Sequence, residues 1–327
     1  MSGAIKIAEA IVEPGQKRRL ELPVARLPTQ TMLSLPVTVV NGTHDGPRLW
    51  LSAAIHGDEV NGVEIIRQVL QQISPQRLSG VLIAVPIVNV FGFIEQSRYL
   101  PDRRDLNRSF PGSPRGSLAS RLAHLFMAQV VKRCTHGIDL HTASHNRTNL
   151  PQIRANLLDP ETERCARAFG APLMVHATTR DGSLRQAATQ QGIPILLYEG
   201  GEALRFDAEA IAVGVQGIGR VMQMLGMYQF PETPSAPPSL AVQKTQWVRS
   251  PRSGILHLEV TLGTLVYKKQ VLGMVCDAFG DKNVKVSAPY NGIVIGHTQN
   301  PLVNQGDAIL NLAALKPEQV SLWKQSL

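Results

Sequence analysis

The stretch Leu51-Ser-Ala-Ala-Ile-His-Gly-Asp-Glu-Val60 organises the reading of this chain. An apolar run (Leu49, Leu51, Ala53, Ala54, Ile55) stops at His56, and Glu59 follows three residues later. The spacing of Val60, Val63, Ile66, Val69, Leu70 and Ile73 then predicts an amphipathic helix over 60–73. A buried strand that ends in metal-competent side chains and passes into a helix belongs to an open α/β sheet, where ligands bind beyond the carboxyl ends of strands. A second apolar-to-polar switch, Gly137-Ile-Asp-Leu-His-Thr142, brings His141 to another strand end. His56, Glu59 and His141 make a three-residue zinc set with a fourth position left for water, which points to a hydrolase. Singly, each residue has a plainer reading: His56 as a capping or hydrogen-bonded histidine, Glu59 as a first-turn acid facing a helix dipole.

Composition narrows the classes. The chain has 327 residues, 43% of them hydrophobic, enough for one large or two ordinary domains. It contains no apolar run of membrane-spanning length. Residues 1–10 lack a long apolar stretch, so the start reads as mature protein. Cys134, Cys165 and Cys276 lie far apart, with no CxxC pair, and a reducing cytoplasm is expected. The net charge of +8 is not organised for nucleic acid, because aromatics are only 5% and stud no basic stripe. The densest cluster, Arg98, Arg103, Arg104, Arg108 and Arg115, suits a small anionic substrate better.

The pattern along the chain predicts an α/β fold, a mixed sheet flanked by helices. A strand-rich lead-in over 1–45 includes Leu33–Val40. Strands are expected at Leu49–Ile55, Val81–Val88, Gly137–Leu140, Leu173–Val175 and Ile193–Tyr198. Helices are expected at Ser117–Arg133, Pro160–Gly170, Ser183–Gln191 and Ala208–Leu225. A long loop spans about 89–115. The boundaries read as a catalytic α/β domain over 1–228, a Pro-rich linker over 229–246 and a C-terminal all-β domain over 247–327. Within the last, Ser250-Pro-Arg-Ser-Gly-Ile-Leu and Ser287-Ala-Pro-Tyr-Asn-Gly-Ile-Val repeat one motif, which suggests a pseudo-symmetric sandwich. This part resembles the barrel-sandwich fold of biotinyl and lipoyl domains. The turn Phe279-Gly-Asp-Lys-Asn283 lacks their Met-Lys-Met motif, so Lys282 is read as structural.

Two further segments carry chemistry. The loop Ser97-Arg-Tyr-Leu-Pro-Asp-Arg-Arg-Asp-Leu-Asn-Arg-Ser-Phe-Pro-Gly112 is too long to be idle in a packed α/β domain, and its Arg108 can fork onto a carboxylate. In Ile193-Pro-Ile-Leu-Leu-Tyr-Glu-Gly-Gly201 an acid closes a wholly apolar strand. Burying it is costly unless it is paired or in use, so Glu199 is either a salt-bridged acid or a general base.

His56-Gly-Asp-Glu59, Asp105-Leu-Asn-Arg108, Asp139-Leu-His141 and Tyr198-Glu-Gly-Gly201, in that order, resemble the succinylglutamate desuccinylase/aspartoacylase family of zinc carboxypeptidase-like hydrolases. The resemblance covers roughly 45–226 and implies one zinc ion held by His56, Glu59 and His141. It implies Glu199 as the catalytic glutamate and Asn107 and Arg108 as the holders of a substrate α-carboxylate. Asp105 matches an acid that orients a ligand histidine, and Arg98 the arginine that polarises the scissile carbonyl. The loop after Arg98 is longer than in aspartoacylases, which leaves Arg103 and Arg104 open for that part. Arg185 corresponds to a further substrate arginine, while Tyr290 and Tyr267 are candidates for the family's substrate tyrosine. His145, four residues after His141, is weighed as a ligand, and Arg147 and Asn149 as pocket residues. The implied activity is removal of an acyl group from an N-acyl amino acid or related amide. A carboxypeptidase on small peptides and a non-catalytic binding protein are the alternatives, with no nucleic-acid or membrane partner and homo-oligomerisation open.

Overall fold

The computed structural model describes residues 3–144, 146–231 and 235–326. Short strands β1 (Ile5–Ile7) and β2 (Ala10–Val12) pair with each other, and β3 (Gln16–Arg26) pairs antiparallel with β4 (Met32–Asn41). The α/β part continues with β5 (His44–Ala53), α1 (Asn61–Gln72), β6 (Ser79–Val85), α2 (Val90–Ile94), α3 (Leu118–Gln129) and β7 (His136–Ala143). It closes with β8 (Arg147–Ala155), α4 (Pro160–Phe169), β9 (Leu173–His176), α5 (Leu184–Gln190), β10 (Ile195–Glu202) and α6 (Ala208–Met224). Beyond lie β11 (Leu240–Val242), β12 (Thr245–Arg249), β13 (Gly254–Leu258), β14 (Leu265–Val266) and β15 (Val271–Cys276). The chain ends with β16 (Asn283–Ser287), β17 (Gly292–Thr298), β18 (Leu302–Val303), β19 (Ala308–Ala314) and α7 (Pro317–Ser326).

The period of two along each strand explains the layering, because successive side chains face opposite sides of a sheet. In β5, Leu49, Leu51 and Ala53 join the core under α1, α4 and α6, while Trp50 turns to the opposite core, shared with α3 and α5. In β6, Val81, Ile83 and Val85 face the α3 side, and Leu82 and Ala84 the α1 side. A strand buried on both faces reads as a continuous apolar run, which is why both were legible.

The centre of the large sheet runs β6-β5-β7-β10, all parallel. Strands β5, β7 and β10 are immediate neighbours, so their carboxyl ends gather His56, His141 and Glu199; Glu199 and His141 are register partners. On leaving β5, the chain turns sharply at Ala54, whose φ is 49°. Gly57 then passes so close to α2 that an added Cβ would lie 1.9 Å from a backbone carbon of Gly92. Only glycine permits that approach, which holds the His56–Glu59 turn against the sheet.

Three elements depart from the sequence expectations. The 13-stranded sheet extends beyond the α/β part through β8, β17, β19 and β12, so strands of the C-terminal region continue it edge to edge. A second, four-stranded sheet, β16-β15-β13-β18, packs over them. The two copies of the repeated motif lead into β13 in one sheet and β17 in the other. The C-terminal region is not all-β: α7 closes it, with Trp323 buried beside Leu173, Val175, Val242 and Ile293. Inside the Pro-rich 229–246 stretch, Leu240–Val242 adds a parallel strand to β9.

Candidate active site

Three buried side chains meet at the carboxyl ends of β5 and β7. His56 Nδ1 lies 2.7 Å from Glu59 Oε1, and His141 Nδ1 lies 2.7 Å from Glu59 Oε2. The donor atoms of the three all fall within 4.8 Å of one another. Each ring is gripped from behind through its other nitrogen: His56 Nε2 is 3.2 Å from Asp105 Oδ1, and His141 Nε2 is 2.8 Å from Asp139 Oδ2. Asp139 is itself fixed, since its Oδ1 accepts from Ser52 Oγ at 2.7 Å. Carboxylate, imidazole and central acceptor in line is the arrangement that presents both Nδ1 atoms to one cation.

The electrostatics agree. Burial alone would lower the pKa of both histidines. For His56 the charge of Glu59 and the hydrogen bonds of Asp105 and Glu59 outweigh it, and the pKa is raised. For His141 the charges of Asp139 and Glu59 raise it well above the ordinary value. Burial would likewise raise the Glu59 carboxyl, but the two histidines hold it well below the usual carboxylate range. The trio could therefore hold a cation at its centre. Two imidazole nitrogens and a carboxylate are the donor set of an open zinc site, so the residues fit that ion.

The cleft beside the trio has a volume of about 720 Å³. Arg98 lines it with its guanidinium 2.8 Å from Asp105 Oδ2 and 3.5 Å from Glu59 Oε1. Arg103 and Arg104 are exposed and do not line it. Asn107 and Arg108 are in the lining; Asn107 Oδ1 accepts from Leu184 N at 2.9 Å, which leaves Nδ2 to donate. Glu199 lines the same cleft from β10, next to His141 across the strand pair, with Asn149 Nδ2 donating to its Oε2 at 2.9 Å. Burial pushes the Glu199 carboxyl up, against the lowering influence of His141 and Arg154. Arg185 lines the cleft too, but its guanidinium donates to Ala177 O and Thr178 O. Burial, Arg154 and Arg180 push it down to about 10. Tyr290 and Tyr267 lie outside the lining, and Tyr290 spends its hydroxyl on Leu312 O at 3.0 Å. His145 lies outside the described residues.

The sequence reading overlooked several members. Asp139 sat inside the quoted motif; its spacing of two from His141 on a strand puts both side chains on one face, a usable signal. Arg154 and Arg180 add cations to the wall, and Lys244, Trp247 and Asn311 reach in from the C-terminal region. These depend on one register row, Gly201–Asn149–Gly296–Asn311–Trp247, that crosses β10, β8, β17, β19 and β12. Arg147 lies over the Trp247 ring at 4.8 Å.

Residues 45–225 match the succinylglutamate desuccinylase/aspartoacylase catalytic domain. The chain belongs to this family. It is 28% identical over 293 residues to the N-alpha-acetyl-L-2,4-diaminobutyric acid deacetylase of Halomonas elongata, covering 85% of each chain. It is 29% identical to the succinylglutamate desuccinylase of Pseudomonas aeruginosa over 144 residues, 40% of this chain and 42% of that one. Among solved structures, the succinylglutamate desuccinylase/aspartoacylase from Rhodobacter sphaeroides superposes with a TM-score of 0.83 at 26% identity, covering 95% of this chain and 99% of that one. The product-bound ectoine utilization protein EutE (DoeB) from Ruegeria pomeroyi gives 0.84 at 25% identity, over 96% and 100%. No helix among the described residues is long and apolar enough to cross a membrane.

Proposed function

We propose that this chain is a zinc-dependent deacylase that hydrolyses the amide bond of a small N-acyl amino acid. The observation that carries the reading is the convergence of both Nδ1 atoms on the Glu59 carboxylate in a cation-lined cleft that Glu199 also lines. His56, Glu59 and His141 hold the ion. When bound, it supplies a Lewis acid that polarises a carbonyl and brings water's pKa to about 7.

The remaining work falls to the chain's own side chains. Asn107 and Arg108 hold the amino-acid carboxylate, Asn107 through Nδ2 and Arg108 through its guanidinium. Arg98, kept in place by Asp105 and Glu59, donates toward the carbonyl oxygen as negative charge develops on it. Glu199 takes a proton from the attacking water, and its raised pKa suits it to pass that proton on to the leaving nitrogen. A C–O bond forms, the amide C–N bond breaks, and a carboxylate and an amine leave. Arg154, Arg180 and Arg185 make the rest of the wall cationic, which attracts the carboxylate of an acyl-amino acid.

The Halomonas relative, which is matched over most of both chains, favours an acetyl group on a short diamino acid over a succinyl group. The test is amine release by zinc-loaded protein from N-acetyl and N-succinyl amino acids, including N-acetyl-diaminobutyrate, alongside dipeptides. Strong turnover of one acyl-amino acid is the expected result. Turnover of dipeptides alone would replace this reading with a carboxypeptidase, and silence throughout, with zinc bound, would remove the deacylase reading.

A further inference from the structure

At the other end of β7 a second set of metal-competent side chains converges. His136 opens the strand five residues before His141, so at about 3.3 Å per residue the two lie roughly 16 Å apart. His136 Nε2, a Glu161 oxygen and Cys165 Sγ all fall within 4.8 Å of one another. Glu161 and Cys165 sit one turn apart on α4, so the cluster joins that helix to the central sheet.

Both ring nitrogens of His136 have polar neighbours. The Thr135 hydroxyl donates to Arg48 O at 3.0 Å and accepts from Arg48 N at 3.0 Å. The same hydroxyl lies 2.9 Å from His136 Nδ1, and when its proton goes to Arg48 O the ring donates there. In the neutral ring Nε2 then carries a lone pair, and that lone pair points at Glu161 Oε1 from 3.0 Å. Two acceptors facing each other repel unless a cation lies between them, either a ring proton or a metal ion. Cys165 Sγ, 4.0 Å from the same oxygen, supplies a third donor, and the residue is buried.

We propose that His136, Glu161 and Cys165 form a second metal site, for a divalent cation of the zinc class, that clips α4 to the start of β7. Nitrogen, oxygen and sulfur ligands together select zinc or cobalt over magnesium or calcium. Arg164, which forks onto Glu161 in the ion's absence, is half exposed and swings into solvent to make room. Burial, followed by the charge of Glu161, pushes the Cys165 thiol up to about 12, so each ion bound releases one proton. Affinity therefore rises about tenfold per pH unit over the neutral range.

Cobalt separates this site from the cleft, because the cleft trio holds no sulfur. The experiment titrates metal-free full-length protein with Co²⁺ and follows the near-ultraviolet thiolate-to-cobalt band together with bound metal per chain. The expected result is two equivalents, one carrying the band. Cys165→Ser loses the band and the second equivalent but keeps the first. If Cys165→Ser does not fold, His136→Gln, at a partly exposed position, serves instead and weakens the second equivalent at least tenfold. A single equivalent without the band, or a band undiminished in either variant, overturns the proposal.

Discussion

Asp139→Asn isolates the influence of a single charge behind a ligand histidine. The side chain is 1% exposed, its Oδ2 lies 2.8 Å from His141 Nε2, and its Oδ1 accepts from Ser52 Oγ. Asparagine has the same size. Its amide oxygen still accepts from the ring and its NH₂ meets the Ser52 hydroxyl, which changes from donor to acceptor, so no cavity is created. What disappears is the negative charge that makes His141 a stronger donor. Removing such a partner weakens metal affinity about 10–100-fold, or about 1.4–2.7 kcal/mol. The assay is zinc affinity in a chelator-buffered series, with kcat measured separately at saturating zinc and the thermal midpoint of the metal-free protein as a control for folding. The expected outcome is weaker zinc binding within that range and a metal-free midpoint lowered without loss of the cooperative transition, since the charge of Asp139 also favours protonated His141. Parental affinity in Asp139→Asn would refute the claim that the carboxylate tunes the ring, and a collapsed metal-free midpoint would reassign Asp139 to packing.

Other expectations follow from the same geometry. Glu199→Gln should lower kcat by about 10²–10⁴ with zinc content unchanged, as measured by steady-state kinetics beside metal analysis. Arg98→Ala should cost about 10²–10³ in kcat, whereas Arg104→Ala, outside the cleft, should stay near the parental rate; equal losses would break that distinction. Gly296→Ala would place a Cβ 2.6 Å from Asn149 Oδ1, displacing the amide that holds Glu199, so kcat should fall more than KM rises. Glu64 is held down to about 2, first by its hydrogen bond from Arg67, so it stabilises the fold above its ordinary value near 4.5 and loses that contribution as pH falls toward 2. Glu64→Gln should therefore flatten the pH dependence of the urea midpoint across that window, by the small amount typical of a surface pair.

How much was legible depended on the range of the signal. His56, Glu59, His141 and Glu199 announced themselves because an apolar strand that stops at a polar residue is a local pattern, and parallel strands put all such stops at one edge. The same apolar runs located β5, β6 and β10. Strand β8 was missed: Asn149, Pro151, Gln152 and Arg154 break the apolar run, and two of them exist to face the cleft. Trp247 and Asn311 carry no local mark at all. Their position follows from the pairing of β17 with β8, Gly296 opposite Asn149, which neither composition nor periodicity encodes. Helix α7 was absorbed into an all-β reading because a single buried residue, Trp323, anchors it among the described residues, so its apolar face is too narrow to show a period.

The shared sheet limits how this protein can be re-engineered. Because β17 is hydrogen-bonded to β8 at Asn149, cutting the chain near residue 240 would leave β8 paired with β10 and β9 but strip residues 147–149 of their partner on one side and expose raw backbone beside Glu199. Such an unpaired edge invites aggregation. Substrate preference is thus open to change by single side chains on the cleft wall, while exchange of the whole C-terminal region between relatives would have to carry β8 along with it.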